Sequence, residues 1–234
     1  MQTVMSSKQA AGNAAASLVE DGMILGLGTG STVTYFLDAV ALRMNAEGLN
    51  LKGVPTSEDT AEKARGLGIV LSTLEETPEL DLVVDGADEV DAAFRLIKGG
   101  GGALLREKIV ASAGAKVAII VGEGKRVERL GTTFLLPVEI LPFGHTTTAQ
   151  KVAAQGCQPF LRTTDEEGTL MVTDNGNYIL DCKFEEGIQN PEELHRALSE
   201  IPGVAEVGLF LNHCDILVEG LIDGTARIRE RNES

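Results

Sequence analysis

The sequence predicts an α/β protein: a Rossmann-like, mostly parallel sheet covered by helices, with a second, smaller α+β domain of ferredoxin-like pattern. Three observations predict it. Apolar runs of strand length alternate with helical segments through the first half, as in a parallel sheet buried on both faces. Glycine turns follow two of those strands, at Gly26–Thr32 and at Asp85-Gly86. Beyond Gly131 the order changes to strand, helix, hairpin and helix. Residues 1–130 plus 207–234 are expected to form the Rossmann-like domain, and 131–206 the smaller one.

The elements follow in order. MQTVMSSKQAAGNAAASLVEDG reads as an amphipathic helix with Val4, Ala11, Ala15, Leu18 and Val19 along one side; it lacks the basic and continuous apolar regions of a signal peptide. MILGLG is a strand, and STVTYFLDAVALRMNAEG a helix opening at Ser31 and Thr32. LKGVPTS is the next strand; SEDTAEKARGLG is a helix capped by Ser57 and ending near Gly66 or Gly68. IVLS and LDLVVDG continue as strands, GALLREKIVASAG as a helix and KVAIIVG as a buried strand. TTFLLPVEILPFG, with two prolines, reads as an edge-type extended segment. A short helix spans about Thr146 to Ala154. QPFLRTT is a strand, and GTLMVTD and NYILDCKF a hairpin closed by Asn175-Gly176. NPEELHRALSEIPG is a helix with Asn190 as N-cap and Pro191 at its first position. VAEVGLFLN, CDILVEG and TARIRE finish as strands.

Bulk composition excludes some partners. The net charge of -15, from 20 basic and 35 acidic residues, argues against nucleic acid and anionic membranes. No apolar run approaches the ~20 residues of a bilayer span. Three widely spaced cysteines without a CxxC pair fit reduced thiols and a cytoplasmic location.

The chemistry concentrates at two glycine loops. GLGTGST resembles a dinucleotide fingerprint, but Ser31 stands where the third glycine belongs and no acid ends the following strand. What remains is a strand-to-helix turn with exposed amides and the hydroxyls of Thr29, Ser31 and Thr32, suited to a phosphate or polyol. A tight turn using glycine for positive φ is the plainer reading. Asp85-Gly86-Ala87-Asp88 lies at the carboxyl end of a parallel strand, where ligands of such sheets gather. Its plainer reading is an Asp-rich turn, with Asp88 or Asp91 capping a helix. Asp85, partly buried, needs a partner, and Lys98 is a candidate. No His or Cys stands nearby to fix a metal, so no metal site is expected. Lys98 opens the run Gly99 to Gly102 at a helix start, leaving amides free to donate. Glu107 shares a helical stripe with Ala103, Leu104, Val110 and Ala111, while Arg106 and Lys108 supply the polar face. A carboxylate on an apolar stripe points to a functional base. Lys125-Arg126 follows another strand end.

These motifs resemble ribose-5-phosphate isomerases of the A type almost end to end: GLGTGST, VDGADEVD, KGGGGALLREKIVAS, LPVEILPF, VTDNGNYILD and IPGVAEVGLF fall in that family's order. The resemblance implies Glu107 as general base, with Asp85, Asp88 and Lys98 in the active site. It implies substrate contacts from Thr29, Gly30, Ser31, Thr32, Asp85, Gly86, Ala87, Asp88, Lys98, Gly99, Gly100 and Gly101. Lys125 matches a lysine near the substrate, and Lys8 one that helps hold the phosphate. Implied too are a pentose 5-phosphate substrate, an enediolate, no cofactor, and a homodimer or homotetramer. His145-Thr146-Thr147-Thr148 departs from the family by replacing a more basic stretch. Two other classes stay open: a sugar-phosphate-sensing module and a nicotinamide oxidoreductase.

Overall fold

The computed structural model describes residues 5–231; Val4 and the chain ends of the expected first domain lie outside them. In chain order the first elements are α1 (Ser7–Ala16), β1 (Ile24–Leu27), α2 (Ser31–Glu47), β2 (Lys52–Pro55), α3 (Glu58–Gly66), β3 (Val70–Leu71), β4 (Leu82–Gly86), β5 (Glu89–Val90), β6 (Leu96–Ile97), α4 (Leu104–Ser112) and β7 (Val117–Val121). They continue as β8 (Leu136–Ile140), α5 (His145–Ala153), β9 (Gln158–Leu161), β10 (Tyr178–Lys183), α6 (Pro191–Ser199), β11 (Val204–Val207), β12 (Leu209–Phe210), β13 (Ile216–Gly220) and β14 (Ala226–Glu230).

The residues cluster into two compact units. The first runs to Ala87, then adds Arg106–Lys125 and the chain from Asn212; the second comprises Asp88–Leu105 and Arg126–Leu211. Residues 88–105, 126–130 and 207–211 thus group with the smaller unit rather than with the Rossmann-like one. A buried carboxylate joins the two segments of that unit. Glu89 accepts the amides of Gly131 (2.6 Å), Thr133 (2.6 Å) and Phe134 (2.7 Å) and the Thr133 hydroxyl (2.7 Å). Four donors to one ion satisfy a charge that burial alone would expel.

The first unit is a seven-stranded sheet in the order β14-β13-β7-β4-β1-β2-β3, parallel except for β14. Every residue of β7 is buried, as a central parallel strand demands. Leu25, Leu27, Val84 and Ile120 pack with Phe36, Leu37 and Val40 of α2 and with Ala11 and Ala15 of α1. The start of α1 is set by Ser6, whose side chain accepts from Gln9 N; the helix stops before Leu18 and Val19. Ser57 caps α3 by accepting from Thr60 N at 3.1 Å, as expected.

In the second unit, β8-α5-β9-β10-α6-β11 builds a four-stranded antiparallel sheet in the order β11-β8-β10-β9, the ferredoxin-like arrangement. A three-stranded sheet, β12-β6-β5, accompanies it. Four local expectations change. β8 is an interior strand, not an edge. Pro137 is tolerated there because its donor-less side faces Gly208, beyond the end of β11, and its carbonyl accepts Gly208 N at 2.8 Å. GTLMVTD forms no strand, since β8 and β9 already occupy both edges of β10; only the turn at Asn175-Gly176 survives, with Gly176 at φ 77. VAEVGLFLN breaks at Gly208, where an added Cβ would lie 2.5 Å from the Lys98 carbonyl oxygen. Asp91 caps no helix: Oδ1 accepts the amides of Ala93 and Arg95, and Oδ2 pairs with Arg95 Nε at 2.6 Å. Asn190 occupies the N-cap position of α6, but its side chain makes no capping bond.

Candidate active site

In the first unit, the sheet register decides what reaches its carboxyl edge. Leu25, Gly26 and Leu27 of β1 pair with Leu82, Val83 and Val84 of β4. A Cβ on Gly26 would lie 2.7 Å from Val83 and 2.8 Å from Val110 of α4, so α4 lies over this face of the sheet. Its far end is tied to the amino end of β4, with Leu80 N donating to Ala113 O at 3.0 Å. α4 therefore runs down from the carboxyl edge, and Glu107 stands about 4.5 Å above Val110 along the helix. Side chains alternate along a strand, so Asp85 points to the same face as Val83 and stands ~6.6 Å higher. Both carboxylates thus belong to the carboxyl edge of this unit on its α4 face. Glu107 is 4% exposed and Asp85 1%. Val110 and Ala111, on the Glu107 stripe, are buried as well, whereas Arg106 reaches out to Glu58 at 2.9 Å.

Gly28 makes room for Asp85. A side chain at residue 28 would collide with the Asp85 carboxylate and its Cα. Asp85 Oδ1 instead accepts the amides of Gly86 (2.7 Å) and Thr29 (3.1 Å). The Thr29 hydroxyl turns inward, bonding Thr56 Oγ1 (2.7 Å) and Ser57 Oγ (2.9 Å). Thr60 completes that cluster by donating to Gly28 O at 2.8 Å. Thr29 accordingly positions Asp85 through its amide and locks the turn through its hydroxyl. Thr56 and Thr60 were missed in the sequence because nothing links them to Thr29 until β1 and β2 pair.

Next along the turn, Gly30 at φ 115 caps α2 without any side-chain bond, a conformation open to glycine. Ser31 and Thr32 begin the helix. Lys8 of α1 donates to Ser31 Oγ at 2.9 Å, packing against Gly122 at the end of β7. Half-buried Lys125 follows three residues later. An ammonium, a hydroxyl and a helix N-terminus together make a seat for an anion.

In the second unit, Asp88 Oδ2 accepts Gly100 N at 2.8 Å. Lys98 is 3% exposed, with Nζ 5.4 Å from the centre of the Phe210 ring and its amide donating to Gly208 O. Gly99 and Gly102 take positive φ, 107 and 82. Arg162 Nη1 grips the carbonyls of Gly99 (2.8 Å) and Gly100 (3.1 Å). No sequence signal marks that arginine, which lies more than sixty positions from the loop. Among the described residues no group of three or more His, Cys, Asp or Glu could hold a metal ion, and no helix is long and apolar enough to cross a membrane.

A parallel sheet with two buried carboxylates at its carboxyl edge, and a lysine on an uncapped helix start, make an α/β fold chemically suited to a phosphorylated polyol. The family profile described as ribose 5-phosphate isomerase A (phosphoriboisomerase A) matches residues 52–224. Ribose-5-phosphate isomerase A of Synechococcus sp. (strain JA-3-3Ab) is 50% identical over 228 residues, covering 97% of each chain. The solved structure of ribose 5-phosphate isomerase A from Methanocaldococcus jannaschii superposes with a TM-score of 0.90 at 35% identity, covering 96% of this chain and 98% of that one. A D-ribose-5-phosphate isomerase solved in complex with phospho-erythronic acid gives a TM-score of 0.92 at 34% identity, covering 96% and 98%. The chain belongs to the ribose 5-phosphate isomerase A family.

Proposed function

We propose that the chain interconverts D-ribose 5-phosphate and D-ribulose 5-phosphate through an enediolate, with Glu107 as general base. Glu107 removes the C2 proton of the open-chain aldose and delivers it to C1, while the O2 hydroxyl proton passes to O1, so that the C1 aldehyde becomes an alcohol and C2 a ketone. The burial of Glu107 on a helix that starts beside a glycine loop, in a chain of this family, carries the reading. A positioned base contributes about 10² to 10⁴ in rate. Lys98 and the amides of Gly99 and Gly101 are assigned the enediolate oxygen, each good donor being worth ~3 kcal/mol, while the Gly100 amide orients Asp88 beside the substrate. Asp85 and Asp88, with Gly86 and Ala87 between them, handle the sugar hydroxyls. Lys8, Ser31, Thr32 and the α2 N-terminus at Gly30 hold the phosphate, and Lys125 serves the same end. Anchoring the phosphate fixes the reacting carbons against the base. The relative bound to phospho-erythronic acid supports this chemistry, since that acid pairs a phosphate with a charged oxygen centre.

The proposal extends to a homodimer or homotetramer in the cytoplasm, free of cofactor. Three free cysteines suit a reducing compartment. An isomerase assay on ribose 5-phosphate, without added metal or nucleotide, tests the activity. Turnover is expected; no turnover, with NAD rather than ribose 5-phosphate raising the melting temperature, would overturn it. Light scattering reading the 24.7 kDa mass of one chain would overturn the assembly.

A further inference from the structure

We infer that Arg162, held by Asp181, is a positioning residue that fixes the glycine loop, holding the Gly100 amide on the Asp88 carboxylate and turning the Gly101 amide to that same side, toward the substrate. The inference rests on the isomerase reading above. Arg162 follows β9 and its amide extends the ladder to Ile179 O at 2.9 Å, so its backbone is fixed by the sheet. Asp181 of β10 takes the guanidinium in a two-pronged grip, Nε to Oδ2 at 2.9 Å and Nη2 to Oδ1 at 2.6 Å. Both side chains are largely buried, and this fork leaves Nη1 pointing at the loop.

What Nη1 does there follows from peptide planarity. It draws in the carbonyls of Gly99 and Gly100. In a trans peptide the N–H points opposite to the carbonyl that shares its plane. The amides of Gly100 and Gly101 must therefore face away from Arg162. For Gly100 the structure bears this out, because its amide meets Asp88 Oδ2 on the far side. Gly101 follows the same rule, so its amide is turned to the side where Asp88 stands. Without such a tie, four successive glycines would sample many peptide orientations. The loop is gripped elsewhere too: Gly102 N bonds Gly99 O at 3.0 Å, and a side chain at Gly102 would collide with Met171, whose amide donates to Arg162 O. Preorganised donors count only if they need no turning when charge develops. Arg162 supplies that fixity without touching the substrate itself.

Four proteins test it: wild type, Arg162→Met, Arg162→Lys, and the double variant Arg162→Met with Asp181→Leu. Arg162→Met is expected to lower kcat about 10- to 100-fold while KM for ribose 5-phosphate moves less than about 3-fold, the pattern of an interaction realised in the transition state. Phospho-erythronic acid should bind at least about 10-fold more weakly to it. Arg162→Lys, which can reach a carbonyl but not hold the fork, should recover part of kcat. The double variant separates aiming from mere stability. Replacing a buried ion pair by apolar residues commonly restores stability. Its melting temperature should therefore return toward wild type while kcat stays low. A kcat that recovers together with stability would overturn the inference, as would an Arg162→Met enzyme within about 2-fold of wild type. ¹⁵N-glycine spectra read the loop independently of turnover: Gly99, Gly100 and Gly101 signals should shift in both Met variants while Gly48 stays in place, and unmoved loop signals would also overturn it. An inactive wild type would strike the isomerase reading instead and leave the spectra to judge the loop.

Discussion

At the scale of single residues, the smallest side chain in the site has the sharpest consequence. Gly28 leaves the space that the Asp85 carboxylate fills. Gly28→Ala should push Asp85 from its two amide donors, with kcat/KM falling at least about 100-fold while circular dichroism keeps its shape; near-normal turnover would remove Asp85 from the chemistry. The stripe that singled out Glu107 was legible in the sequence, because helical spacing alone places a residue between apolar neighbours. The Gly28–Asp85 fit was not, since it depends on a strand register joining residues 57 positions apart. The cysteines differ among themselves. A hydrogen bond from Cys182 lowers the Cys157 thiol, while that same bond and burial raise Cys182 well above the usual range. Desolvation pushes Cys214 up to about 12. The thiolate is the reactive form. At pH 8 a thiol-disulfide reagent should therefore modify Cys157 first and leave Cys214 silent in the folded protein; rapid labelling of Cys214 would contradict its burial.

Among elements, the 173–177 turn shows how a buried ion replaces a strand. Glu139 of β8 is wholly buried, and its Oε1 accepts Thr173 Oγ1 (2.9 Å), Asn177 Nδ2 (3.0 Å) and Asn175 Nδ2 (3.2 Å). The Asn-Gly signal rightly marked a turn. It could not reveal that the preceding arm is fastened by side chains to a strand more than thirty residues earlier. Glu139→Ala strands at least the two buried donors, Thr173 and Asn177, at ~1–3 kcal/mol each. About 3 kcal/mol corresponds to roughly 6–12 °C in a protein of this size. Calorimetry should show that fall in Tm; a change below about 2 °C would mean the turn does not depend on Glu139. The same limit explains β5, β6 and β12. Two-residue strands carry no periodicity, and these three are defined by backbone pairing of β6 with β5 on one side and β12 on the other.

For the whole molecule, alternating apolar runs were enough to foresee the parallel sheet, because the burial of its central strands is written in their own residues, and the strand, helix, hairpin and helix order beyond Gly131 pointed to the ferredoxin-like companion. The division between units was less visible, since the chain passes between them several times with no linker composition to mark the crossings. Net charge carries a further lesson. A chain at -15 accepts an anionic substrate only through local donors, since screening over about 10 Å weakens the distant acids. Lys8 on Ser31 is such a donor. Fold, family and local electrostatics converge on proton transfer within a phosphorylated sugar, and the base is its centre. Steady-state kinetics of Glu107→Gln, which keeps the shape and removes the basic oxygen, address it directly. The account predicts a kcat at least about 100-fold below wild type with KM within about 3-fold; a variant retaining a tenth or more of wild-type kcat would contradict it.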